Sequence, residues 1–197
     1  MAENESDLDI VNIVIHGRGG QGAVTACEII AEAAFLSDNF IDVHAYPSFG
    51  AERRGAPVQA YAKLSKKEKI WDRAQIEYPD IIIILDETVL NQNIASSLKK
   101  NGILIVNSDK EPEYFKSKYK LGEKIRIIIA DVNDLALTKG LTIEGNPIVN
   151  TPILGLLLKC ISEISIDNLI KAVQNKMDNT KIADLNIELI KEVYSIG

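Results

Sequence analysis

Two kinds of apolar run alternate along this chain. Ile10-Val11-Asn12-Ile13-Val14-Ile15 is short and β-branched, while the Ala-rich stretch 23–36 is long enough for several helical turns. The first reads as a strand and the second as a helix. A second strand is expected over 40–46, stopped by Pro47, and 57–64 alternates as a half-buried strand should. Residues 65–69 form a charged turn. Pro79-Asp80-Ile81-Ile82-Ile83-Ile84-Leu85-Asp86 is a continuous β-branched run, the pattern of a central parallel strand buried on both faces. A helix over 91–100 follows, closed by Asn101-Gly102, then strands over 103–107 and 124–130. Between them, 109–121 is charged and carries no clear period. From Pro147 onward the pattern is helical, over 151–162, 167–177 and 182–194. This order predicts an α/β fold: a doubly wound, mostly parallel, Rossmann-like sheet with a C-terminal helical extension. Residues 1–9 are expected to be a disordered tail and 10–197 one domain, with an α/β core over about 10–145 and a helical tail over about 147–197.

Between the first strand and helix lies His16-Gly17-Arg18-Gly19-Gly20-Gln21-Gly22, with glycines at the GxGxxG positions 17, 19 and 22. A turn without side chains lets backbone N–H groups approach an anion, and the helix N-terminus behind them is partly positive. A nicotinamide dinucleotide is the default ligand of this pattern, but it needs an acid at the end of the second strand to hold the ribose. That strand ends Ala45-Tyr46-Pro47-Ser48, and Asp42 sits at its opposite end. A second unusual loop, Pro47-Ser48-Phe49-Gly50-Ala51-Glu52-Arg53-Arg54-Gly55, falls on the same sheet edge, as does the segment after Asp86.

Composition narrows the chemistry further. The chain has 197 residues, 46% hydrophobic and 25% charged, with a formal net charge of −6. That balance excludes nonspecific nucleic-acid binding by the whole surface and makes the cluster Arg18, Arg53 and Arg54 stand out. Two cysteines, Cys27 and Cys160, exclude a disulfide framework and a four-thiolate iron–sulfur cluster within the chain; both read as buried thiols. No apolar run reaches about 20 residues and the N-terminus has no signal-peptide core, so a cytoplasmic protein without a membrane span is expected.

The two loops together resemble a known family. His16-Gly17-Arg18-Gly19-Gly20-Gln21-Gly22, followed by Ser48-Phe49-Gly50-Ala51-Glu52-Arg53-Arg54-Gly55-Ala56-Pro57-Val58, is similar to the gamma subunit of the 2-oxoacid:ferredoxin oxidoreductases, above all the pyruvate type, pyruvate synthase. The resemblance runs on through Arg73-Ala74-Gln75-Ile76 and the 79–86 strand, and weakly to Asn150-Thr151-Pro152-Ile153-Leu154-Gly155. Relatives acting on 2-oxoglutarate show Gly-Pro-Glu-x-Arg-Gly-Gly in the second loop. Gly50-Ala51-Glu52-Arg53-Arg54-Gly55-Ala56-Pro57 points instead to pyruvate or a branched-chain 2-oxo acid such as 2-oxoisovalerate.

The resemblance implies a multi-subunit enzyme with alpha, beta and delta partners. It converts a 2-oxo acid and coenzyme A to acyl-coenzyme A and CO2 and passes two electrons to ferredoxin or flavodoxin. Thiamine diphosphate and Mg2+ would sit between alpha and beta, and iron–sulfur clusters in beta and delta. This chain would bind none of these alone, hold no catalytic residue or metal, and be inactive without its partners. It has no thiamine Gly-Asp-Gly signature, and neither His16 nor His44 has a nucleophile pattern beside it. A free-standing nucleotide- or coenzyme-A-binding module and an NAD-dependent dehydrogenase are the competing classes.

The candidate cofactor-binding residues are Gly17, Arg18, Gly19, Gly20, Gln21, Gly22, Ser48, Gly50, Arg53 and Arg54. The glycines form either an anion nest for a coenzyme A phosphate or a tight packing turn, and both readings stand. Arg18 adds to the positive field or makes a salt bridge. Arg53 and Arg54 point in different directions, one toward the crevice and one toward Glu52 or a partner subunit. Ser48 and Gly50 would add donors. Gln21 orients a carbonyl or caps the helix, Asp86 faces the crevice or caps the following helix, and Asn150 or Thr151 caps a late helix.

Overall fold

The computed structural model describes residues 9–48 and 54–196. β1 (Ile10–Arg18) leads through the glycine turn into α1 (Ala23–Leu36), where Ala26, Ala33 and Ala34 are buried and let the helix sit close to the sheet. β2 (Asp42–Pro47) and β3 (Pro57–Ser65) pair antiparallel, with Tyr46 opposite Tyr61. β4 (Ile81–Ile84) lies parallel to β1, His16 opposite Ile84. α2 (Gln92–Ser97) is capped by the Asn91 side chain, which accepts from Ile94 N. β5 (Ile103–Asn107), α3 (Pro112–Lys118), β6 (Arg126–Ala130) and α4 (Val132–Thr138) follow. A two-stranded hairpin of β7 (Thr142–Ile143) and β8 (Asn146–Pro147) precedes α5 (Leu154–Leu157), α6 (Ile166–Lys176) and α7 (Thr180–Ile196).

The main sheet has the order β2-β3-β1-β4-β5-β6. Side chains alternate across its pleat, so the same strands feed two cores. Ile13, Ile15, Ile83 and Ile105 pack under α1, α5, α6 and α7, while Ile82, Ile84, Leu104 and Val106 pack under α2 and α3. Each fully buried isoleucine here contributes roughly 1.5–3 kcal/mol relative to exposure. Over β1, β3 and β2 the second face carries the coil 66–80 instead of a helix. There Val14, Tyr46, Tyr61 and Ile76 cluster, and the Tyr46 hydroxyl donates to Ala74 O at 2.8 Å.

Helices on both faces and four parallel strands bear out the doubly wound, mostly parallel expectation. The sheet is nevertheless mixed, because β3 runs antiparallel between β1 and β2. The connection 48–56 is too short for the dozen or more residues of a parallel crossover. Three further differences concern elements. The charged 109–121 stretch holds α3, started by Pro112 and anchored by buried Phe115. Neither α4 nor the β7–β8 hairpin was expected. The helix expected over 151–162 shrinks to the single turn of α5, because 150–153 already turns to meet the glycine loop. No helix among the described residues is long and apolar enough to cross a membrane.

Candidate functional site

The carboxyl ends of β1, β4, β5 and β6 and the start of β3 share one edge of the sheet. The crossover after β1 puts α1 on one face, and that after β4 puts α2 on the other, so the chain switches direction between β1 and β4. In open α/β sheets ligands bind at such a point.

The glycine turn is closed by its own residues. Gln21 Oε1 accepts from Arg18 N at 2.7 Å, and Gln21 N donates to Arg18 O at 2.9 Å. Gln21 therefore ties the loop rather than capping α1. Gly22 is the residue at the helix start, in left-handed conformation (φ 78°, ψ 31°). Gly20 also has positive φ, at 95°. The N–H groups of Gly20, Gly22, Ala23 and Val24 have no hydrogen-bond partner among the described residues. Four amides at the positive end of a helix of 14 residues are the groups an anion would use. Asn150, which is buried, donates from Nδ2 to Gly22 O at 3.1 Å. It braces the loop from beneath instead of capping a late helix.

The two loops interlock. Gly19 N donates to Ala56 O at 2.8 Å, and Gly55 N donates to Gly19 O at 3.0 Å. Arg18 lies across this junction. Its Nε donates to Asp86 Oδ2 at 3.0 Å, Nη1 to Gly55 O at 2.9 Å and Nη2 to Thr88 Oγ1 at 2.6 Å. Asp86 is thus both a cap and an ion-pair partner: its Oδ1 accepts from Thr88 N at 2.9 Å at the start of the 3-10 turn Glu87–Val89. Burial works to raise the Asp86 carboxyl, but the Thr88 hydrogen bonds and the Arg18 charge outweigh it and hold it below the usual carboxylate range. Arg54 pairs with Glu144 at 2.7 Å, at the tip of the β7–β8 hairpin; Glu52 lies outside the described residues. With both side chains largely exposed, that pair contributes little to stability. Ser48 N donates to Gln59 O at 3.0 Å, continuing the β2–β3 ladder. Gly50 and Arg53 lie outside the described residues.

A cavity of about 490 Å³ opens beside the loop, lined by Gln21 and Leu85 and by residues that follow β4, β5 and β6. Its walls carry Asp86, Glu87, Asp109, Asp131 and Asp134 and, among the described residues, no lysine or arginine. The expected basic crevice is therefore divided. Arg18 and the loop amides lie on the glycine side; on the β4–β6 side Asp86 is paired with Arg18 and Glu87 with Lys110, which leaves Asp109, Asp131 and Asp134 to make it acidic. A phosphate would be favoured only on the former.

Among the described residues, His16 and the two thiols add no activated nucleophile. Burial pushes His16 down to about 4, so it is neutral at physiological pH. Burial pushes the Cys27 thiol far up, and the Cys160 thiol up to about 11. Among the described residues no group of three His, Cys, Asp or Glu side chains could hold a metal ion.

The residues that the sequence reading missed are partners rather than new chemistry. Thr88 and Glu144 lie in segments without a motif. The Asp131 side chain caps α4 by accepting from Asp134 N at 3.0 Å, a spacing that was visible in the sequence.

The fold is Rossmann-like, with two interlocked loops at its switch point. Residues 12–196 match the model of the pyruvate ferredoxin/flavodoxin oxidoreductase family. The chain belongs to that family. It is 41% identical over 163 residues to the pyruvate synthase subunit PorC of Methanosarcina barkeri, covering 82% of this chain and 84% of that one. It is 38% identical over 186 residues to the pyruvate/ketoisovalerate oxidoreductases common subunit gamma of Pyrococcus furiosus, covering 94% and 96%. The crystal structure of the pyruvate oxidoreductase subunit PORC of Thermotoga maritima superposes with a TM-score of 0.78 at 31% identity, over 95% of this chain and 96% of that chain.

Proposed function

We propose that this chain is the gamma subunit of a cytoplasmic 2-oxoacid:ferredoxin oxidoreductase of the pyruvate type. The complex converts pyruvate, coenzyme A and two oxidised ferredoxins to acetyl-coenzyme A, CO2, two reduced ferredoxins and a proton. Alpha, beta and delta subunits supply thiamine diphosphate, Mg2+ and the iron–sulfur clusters. This chain supplies assembly surface and one wall of the coenzyme A crevice. The observation that carries the role is the set of amides at Gly20 and Gly22–Val24 without a hydrogen-bond partner among the described residues, in the same loop as Arg18.

The acyl specificity is a separate question. The Pyrococcus furiosus relative is named for both pyruvate and ketoisovalerate oxidoreductases. That supports a second reading, in which a chain of this type serves a branched-chain enzyme as well and the companion subunits choose the 2-oxo acid.

Arg18→Ala tests the role. A charged hydrogen bond is worth about 1.5–3 kcal/mol, so the apparent KM for coenzyme A in the assembled enzyme should rise at least about tenfold. The KM for pyruvate should stay near the parent value, and the melting temperature of the chain should fall by only a few degrees. A change in stability or assembly alone would remove the anion assignment.

A further inference from the structure

We propose that Asp86, together with Thr88, is a positioning residue that aims the Arg18 guanidinium at the anionic ligand of the glycine edge; this rests on the coenzyme A reading above. The geometry separates the two jobs of the Asp86 carboxylate. Oδ1 accepts from Thr88 N and caps the turn, which a purely structural aspartate would also do. Oδ2 does something else: it reaches back to β1 and accepts from Arg18 Nε at 3.0 Å, across the switch point between β1 and β4. Thr88 completes the arrangement, since its hydroxyl donates to Asp86 and accepts from Arg18 Nη2.

An arginine carries five N–H donors in a rigid planar fork. Three are used here, one on each nitrogen, by Asp86, Gly55 and Thr88. Two have no partner among the described residues, one on each terminal nitrogen, and the side chain is still 36% exposed. A long flexible side chain is thereby held in one orientation before any ligand arrives, with donors to spare. Binding then avoids most of the ordering cost that a free surface arginine would meet. The same contacts hold the Gly55 end of the second loop against the first. Asp86 does not itself touch the ligand in this arrangement, and its negative charge is already matched by Arg18.

Asp86→Asn isolates the positioning job. The amide oxygen can keep the cap on Thr88 N, while its NH2 group faces Arg18 Nε donor to donor. In the assembled enzyme the KM for coenzyme A should rise on the order of threefold to tenfold, less than for Arg18→Ala, with kcat and the KM for pyruvate unchanged. In the Arg18→Ala background Asp86→Asn should add almost nothing, because there is no guanidinium left to aim. Thr88→Val, which keeps the cap and Asp86, should show the same pattern and serves if Asp86→Asn fails to assemble. Independent, multiplying effects of the two substitutions, or an unchanged KM for coenzyme A in Asp86→Asn and Thr88→Val, would overturn the positioning role and leave the coenzyme A reading intact. An unchanged KM in Arg18→Ala would remove that reading and this inference with it.

Discussion

Gly22→Ala will destabilise the chain by about 2–5 kcal/mol, at or above the upper end of what most single substitutions do, although it adds only one methyl group. Two costs combine. The residue sits at φ 78°, where a Cβ costs about 1–2 kcal/mol. The new Cβ would also lie 2.5 Å from Asn150 Nδ2 and 2.9 Å from Asn150 Cγ. Asn150 must then swing away, giving up its bond to Gly22 O in a site where it is only 7% exposed. An unsatisfied buried amide costs about 1–3 kcal/mol. Urea unfolding measures the sum, with an unchanged slope if the denatured state is unaffected. Gly122→Ala is the control, since a Cβ there would meet no heavy atom within 4 Å and its φ is not positive. The double variant Gly22→Ala with Asn150→Ala relieves the contact but not the backbone strain. It should therefore be less destabilised than the two single effects added together. Simple additivity would mean that Asn150 does not brace the loop.

The same contact shows what the sequence could and could not reveal. The glycine turn, its position between β1 and α1 and the buried run of β4 were legible because each is local: a period, a breaker and a composition. The pairing of the two loops on one edge also followed, from strand order and the crevice rule. The braces were not legible. Asn150 lies 128 positions from Gly22, and Asp86 lies 68 from Arg18, so both contacts exist only once the topology is known. Asp86 looked like a cap because it is one. Its second oxygen carries the role that no local rule shows. The sign of the cavity was missed for a related reason. Asp86, Asp109 and Asp131 fall near the ends of three different strands, and only the parallel alignment of β4, β5 and β6 gathers them. The antiparallel β3 was the exception, since the length of 48–56 already contained that information.

Asn107→Asp should cost about 2–4 kcal/mol at neutral pH, and the cost should shrink in acid. Asn107 ends β5, is 2% exposed, and joins three pieces of the ligand edge. Its Nδ2 donates to Leu85 O at 2.9 Å after β4, and its Oδ1 accepts from Val132 N at 2.9 Å at the start of α4. An aspartate keeps the acceptor but sets a second oxygen against the Leu85 carbonyl, and it buries a charge. Both effects favour the protonated form in the folded state, so the folded pKa rises above the unfolded value of about 3.9. Below that value the carboxylic acid can donate to Leu85 O, and the variant approaches the parent. As pH rises toward the folded pKa the folded state holds a proton that the unfolded state has lost. Stability therefore falls over that window and levels off above it. Asp86 in the parent has the opposite sign: its pKa is held down, so its contribution is present above the unfolded value and fades as pH falls. Comparing variant with parent at pH 4 and pH 7 by urea unfolding cancels the shared Asp86 contribution and leaves that of position 107. A difference that is flat with pH, or larger in acid, would mean that the Asn107 donor to Leu85 O is not what holds β4, β5 and α4 in register at this edge.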